Sequence, residues 1–271
     1  MISDITIGQY YKGNSFTHKL DARIKIILTV LFVVMIFMCK NFFSLALTLA
    51  FIILSVLLSS VPFRMYFKSL KPIIPIVIFT AILNMLYTGG ETVVFSVWKL
   101  VLTAEGLYTA GFMAVRIILL IIASSILTYT TVPTMLTDAM EKLLAPLKLF
   151  KIPVQSVAMM MTLALRFIPT LIEEIEKITN AQKARGADFE SGSFTERLRA
   201  VVTIIIPLFV SSFRRASELA YAMNCRCYTG ADTRTRMKQM KIKMWDIVSL
   251  FVFFAGIAGV VILNIKFGAV I

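Results

Sequence analysis

The chain has 271 residues, 58% of them hydrophobic, and a net charge of +13 from 28 Lys and Arg against 15 Asp and Glu. Its mean hydropathy of +0.85 exceeds that of soluble domains, of which about half is apolar, and its apolar residues gather in long runs, as in lipid-facing helices. In such a chain the basic excess reads as residues kept on the cytoplasmic side of a membrane, which argues against a nucleic-acid binder; one histidine (His18) and three cysteines (Cys39, Cys225, Cys227) exclude a disulfide framework or a metal cluster.

In chain order, the first apolar run is 24–39, interrupted by Lys25 and Thr29. It has the apolar core of a signal peptide, but Lys40-Asn41-Phe42 follows Cys39 where a small-residue cleavage site would stand, so it reads as a mature span. The second run, 42–61, closes at Pro62 and Arg64. The third, 73–87, follows Lys71-Pro72 and ends at Thr88-Gly89-Gly90. The fourth, 106–131, is broken by Arg116, and the last is 247–265. Each is near the roughly 20 residues a helix needs to cross hydrocarbon. Two further runs, 152–165 and 200–213, have 14 residues each, a length that suits a buried or interfacial helix, and they are left out of the span count. Segments 1–25, 61–72 and 132–245 hold 4, 3 and 17 Lys and Arg, or 24 of the 28. The two short segments place the N-terminus inside, and five crossings then place the C-terminus outside.

Between the fourth and fifth spans lies a long basic insertion. Pro133 opens a helix expected to run to about Phe150. A second helix follows Pro153, with apolar residues at helical spacing from Val154 to Ile175, and ends at Ala184-Arg185-Gly186. At 1.5 Å per residue a helix over 154–185 is about 50 Å long. A third begins near Thr195 and ends at Cys225-Arg226-Cys227. Both long helices have an apolar first half, an internal Ile-Pro (Ile168-Pro169, Ile206-Pro207), a polar second half and a terminal arginine; counted back from the arginines, Ala181 matches Ala222.

Each signal has a plain structural reading beside the functional one. Cations and glycine are favoured at helix C-termini, so Arg185-Gly186 is either a cap or a docking tip. Cys227 lacks glycine's backbone freedom, which weakens the cap reading for Arg226. A paired docking device would use guanidinium forks on carboxylates and carbonyls. Arg116, inside a span, is either functional or paired within the bundle. Asn84 and Glu105 read as interfacial, the run Met159-Met160-Met161 as a soft contact surface or core, and Cys225 and Cys227 as reduced thiols. No phosphate loop, nucleophile elbow or zinc-protease motif is present, so the chain is expected to be no enzyme and to bind no nucleotide or metal cofactor itself.

The N-terminal stretch Gly8-Gln9-Tyr10, then Ser15-Phe16-Thr17-His18-Lys19-Leu20-Asp21-Ala22-Arg23-Ile24-Lys25, resembles the opening pattern of the transmembrane T component of energy-coupling factor (ECF) transporters, in which Pro often stands where Ala22 does. Ala184-Arg185-Gly186 matches that family's first Ala-Arg-Gly motif. Cys225-Arg226-Cys227 keeps only the arginine of the second, between Ser217-Glu218-Leu219-Ala220 and Tyr228-Thr229-Gly230. The resemblance covers nearly the whole chain. It implies an all-α integral membrane protein of about five transmembrane helices (1–131 and 245–271) with a cytoplasmic coupling domain (132–244) carrying two long coupling helices. It implies a non-catalytic subunit with three partners besides lipid: two ATPases, which bind ATP and Mg, and a substrate-binding S component for a vitamin or other micronutrient. The ATPases would receive Ala184, Arg185, Gly186, Cys225, Arg226 and Cys227. The alternative is a stand-alone secondary transporter or channel, which needs facing polar residues at mid-membrane; Arg116 alone qualifies.

Overall fold

A computed structural model describes residues 10–87, 93–97, 100–151, 153–187, 189, 193–228, 230, 240 and 242–268. They form ten α-helices, a 3-10 turn and one two-stranded hairpin, and they divide into two compact units. The fold is that of an all-α membrane protein, with the hairpin as a small addition.

The larger unit joins Gly8–Ala139 to Met240–Ile271. After a short α1 (Phe16–Lys19), α2 (Ala22–Met38) starts where the Asp21 carboxylate accepts the Arg23 N–H. A turn at Lys40-Asn41 leads to α3 (Phe42–Ser59), whose start is fixed by Ser44 Oγ, which accepts the Asn41 N–H at 3.2 Å. α4 (Phe63–Leu70) and α5 (Ile74–Tyr87) are bent by 58° at the break holding Pro72, which has no N–H to continue the helical ladder. Strands β1 (Val93–Val97) and β2 (Leu100–Thr103) pair antiparallel with a bulge between Val93 and Phe95. Helix α6 (Ala104–Thr130) packs on α2, α3, α4 and α5, and α10 (Met244–Phe267) packs on α2 and α3. The core is Phe32, Met35, Ile36, Ile52, Phe112, Leu119, Phe253 and Val260. The Phe32 and Phe253 rings meet edge to face at 4.3 Å. Gly256 of α10 lets α3 come close, since a Cβ there would lie 2.8 Å from the Phe51 ring.

Polar groups tie this bundle at one end. Lys25, 8% exposed, donates to the carbonyls of Thr130 at 3.0 Å and His18 at 3.3 Å, and the Asp246 and Asp21 carboxylates lie close enough to offset its charge. Asp246, 1% exposed, accepts the N–H groups of Asp21 and Lys243 at 2.9 and 2.7 Å. Arg23 pairs with Asp21 and donates to the Met240 carbonyl. The end of the Ser15–Lys25 motif is therefore a partly buried polar knot, centred on Lys25 and Asp246, that fastens the start of α2 to the start of α10 and the end of α6.

Helix α7 (Pro133–Leu143) is shorter than expected; Pro146 interrupts it, and Ala145–Phe150 continues as a 3-10 turn ended by Lys151 at φ +59°. In the second unit, Met140–Gln239, α8 (Val154–Ala184) and α9 (Phe194–Cys225) pack on each other.

Five helices among the described residues are long and apolar enough to cross a membrane: α3, α6, α8, α9 and α10; the bent pair α4–α5 makes a sixth if taken as one span. The total meets the expectation, but the members differ. α2 has 17 residues, at the short end of what crosses hydrocarbon, and the 14-residue runs left out of the span count belong to helices of 31 and 32 residues. The apolar run ends there while the helix continues, because Glu, Lys and Arg are as compatible with helix as Leu.

Candidate functional site

The two tips are built alike. Arg185 caps α8: its N–H reaches the Ala181 carbonyl at 3.2 Å, the Gly186 N–H that of Lys183 at 3.0 Å, and the Ala187 N–H that of Gln182 at 3.0 Å. Arg226 caps α9 with the same three bonds 41 residues on: Arg226 to Ala222 at 3.3 Å, Cys227 to Asn224 at 2.9 Å, and Tyr228 to Met223 at 3.1 Å. Both are Schellman ends, which require a left-handed residue just past the cap. Gly186 takes φ +89° at no steric cost. Cys227 takes φ +57° despite its Cβ, so this thiol residue does supply the turn that its type disfavours. Ala184, Arg185, Gly186, Cys225, Arg226 and Cys227 are all exposed, and the two cysteines are free thiols. Each arginine is thus exposed at the negative end of its helix dipole.

The helices run antiparallel, so the tips lie at opposite ends of the pair. Gln182 near the end of α8 faces Thr203 near the start of α9, Glu174 faces Ser211 and Arg215 in the middle, and Met159 near the start of α8 meets Tyr228 beyond the end of α9. The Tyr228 hydroxyl donates to Met159 Sδ at 2.9 Å, which gives the methionine run one defined contact. Antiparallel packing sets the apolar half of each helix beside the polar half of the other. Little of this unit is buried: Val154 and Ala158 in α8, and no residue of α9. Val157, Met160, Val202, Ile205, Phe209 and Phe213 remain exposed.

At the centre of the hairpin, Glu174 Oε2 accepts from Arg215 Nη2 at 2.7 Å and Oε1 accepts from Ser211 Oγ at 3.2 Å. Pro207 has no N–H for the Thr203 carbonyl, and Gln182 Nε2 reaches that oxygen at a long 3.5 Å. The sequence reading missed these contacts. The signal was there: the register that aligns Ala181 with Ala222 also aligns Glu173-Glu174 with Arg214-Arg215.

Arg116 is paired within its own bundle. It donates to the Cys39 carbonyl, left free at the C-terminus of α2, and its guanidinium sits 4.7 Å from the Phe112 ring centroid. Cys39 is buried, with its thiol 3.2 Å from the Thr48 hydroxyl. Among the described residues no group of three or more His, Cys, Asp or Glu is placed to hold a metal ion.

Residues 13–238 match the model of the CbiQ family, described as cobalt transport protein. The chain is 51% identical to the energy-coupling factor transporter transmembrane protein EcfT of Ruminiclostridium cellulolyticum over 92% of each chain. It is 50% identical to the EcfT protein of Clostridium kluyveri, over 92% of this chain and 93% of that one. It is 45% identical to that of Bacillus subtilis, over 89% and 91%. A match over most of the length, identities of this size and a helical membrane bundle lead to one conclusion: the chain belongs to the CbiQ family and is a transmembrane component of an energy-coupling factor transporter.

Proposed function

We propose that this chain is the coupling scaffold of an importer. It passes the ATP-driven motion of two cytoplasmic ATPases to a membrane S component that binds a vitamin or other micronutrient. Helices α8 and α9 are the coupling helices, within a cytoplasmic domain of residues 132–244; segments 1–131 and 245–271 form the transmembrane domain. Residues 184–186 dock on one ATPase and 225–227 on the other. The subunit is non-catalytic, and ATP and Mg belong to the ATPases.

The observation that carries this reading is the duplicated tip: one exposed arginine on the same Schellman end, twice, at opposite ends of an antiparallel pair. A cap needs no second copy at matching register, whereas two receivers do. The exposed apolar rows of α8 and α9 suit a membrane partner.

The test is pull-down of the ATPases together with substrate uptake. Removing one partner of a buried charged contact costs about 2–5 kcal/mol of binding. Arg185→Ala and Arg226→Ala should each weaken assembly and leave partial complexes, and the double reversal Arg185→Glu/Arg226→Glu should abolish both assembly and uptake. Normal uptake by the double reversal at normal expression would reduce the arginines to helix caps and refute the docking role.

A further inference from the structure

We infer that Glu174, clasped by Arg215 and Ser211, is the positioning residue that fixes the geometry between the two arginine tips. The inference rests on the docking reading above for its functional consequence, and on the hairpin alone for its structural one.

The register decides where such a clasp must lie. Adding 41 to each residue number matches the three capping bonds at the end of α8 to those at the end of α9, although Pro169 and Pro207 fall three residues out of this register. When two like helices run antiparallel, equivalent residues meet at the local two-fold axis between them and nowhere else. Glu174 and Arg215 are equivalent in this register, and they are the pair that touches. Eleven residues separate Glu174 from Arg185, and eleven separate Arg215 from Arg226. At 1.5 Å per residue each tip is about 16 Å from the clasp along its own helix. The arms are equal, so a rotation at the clasp displaces both tips together.

Identical side chains at this axis would repel if charged. The sequence breaks the symmetry there, with Glu173-Glu174 on one helix and Arg214-Arg215 on the other. Apolar packing specifies this crossing only loosely, because few side chains of the pair are fully buried. An ion pair as exposed as this one stabilises little. Its effect is selection of a crossing. Each carboxylate oxygen has its own donor, from residues one turn apart on α9, and this fixes rotation as well as distance.

The experiment uses the full chain in lipid nanodiscs, with spin labels on unnatural amino acids at Lys183 and Asn224, equivalent exposed sites that leave every native cysteine in place. The unaltered chain should give one narrow inter-label distance. Glu174→Gln and Arg215→Glu should broaden or shift it and lower reconstituted uptake about three- to tenfold while the ATPases still co-purify. The charge exchange Glu174→Arg/Arg215→Glu should restore both the distance and the uptake. A distance unchanged in both single variants, or an exchange that stays as broad as the singles, overturns the inference. The distance needs no partner, so it succeeds or fails separately from the docking reading, which the arginine pull-downs test.

Discussion

Cys227 stands in a backbone conformation that favours glycine, and it does so at a tip whose twin has glycine. The left-handed region costs a residue with a Cβ about 1–2 kcal/mol, and the bonds from Cys227 and Tyr228 to the last carbonyls of α9 hold it there. Cys227→Gly should therefore stabilise the last turn by about 1 kcal/mol and slow hydrogen exchange of the Tyr228 amide, and Gly186→Ala should do the opposite at Ala187. Exchange measured by mass spectrometry on the purified protein checks this; an unchanged Tyr228 amide would mean the turn carries no strain. Arg116 shows the reverse case, a residue that draws attention by its charge and proves to satisfy a helix-end carbonyl.

Among elements, the α3–α10 contact depends on the absence of one side chain. Gly256→Leu drives carbon into the Phe51 ring, and overpacking of this kind costs about 1–3 kcal/mol. Phe51→Ala should relieve much of that cost, so the double variant should melt closer to the unaltered protein than the sum of the two single losses. Additive losses in thermal unfolding would show that the helices do not meet there. The helices themselves were legible in the apolar runs, because hydropathy marks where lipid or core must be. Their ends were less so. The start of α9 was placed to within one residue by Glu196 in its first turn, whereas α7 stopped short at Pro146. The arginine tips were visible as motifs. The clasp at Glu174 was not, because a charge on a polar helix face has no periodicity to betray its partner until the antiparallel register is known.

For the whole molecule, the topology expected from the charge distribution can be tested chemically. Cys39 is buried and cannot report its side of the membrane, whereas Lys40 beside it is exposed. On intact cells an impermeant thiol reagent should label Lys40→Cys and leave Cys225 and Cys227 untouched until lysis; early labelling of Cys225 or Cys227 would reverse the orientation. The knot at Lys25 links this topology to the order of synthesis. Lys25, the Arg23 guanidinium and the Asp21 N–H, near the beginning of the chain, complete their surroundings with Asp246 and the Met240 carbonyl, which the ribosome delivers more than two hundred residues later. Until Asp246 is made, the start of α2 therefore holds an ammonium group with only one of its two counterions, Asp21. A nascent chain stalled or truncated before α10 would keep that defect in view, and a membrane protease that recognises polar exposure within lipid could tell the unfinished protein from the finished one by this single corner.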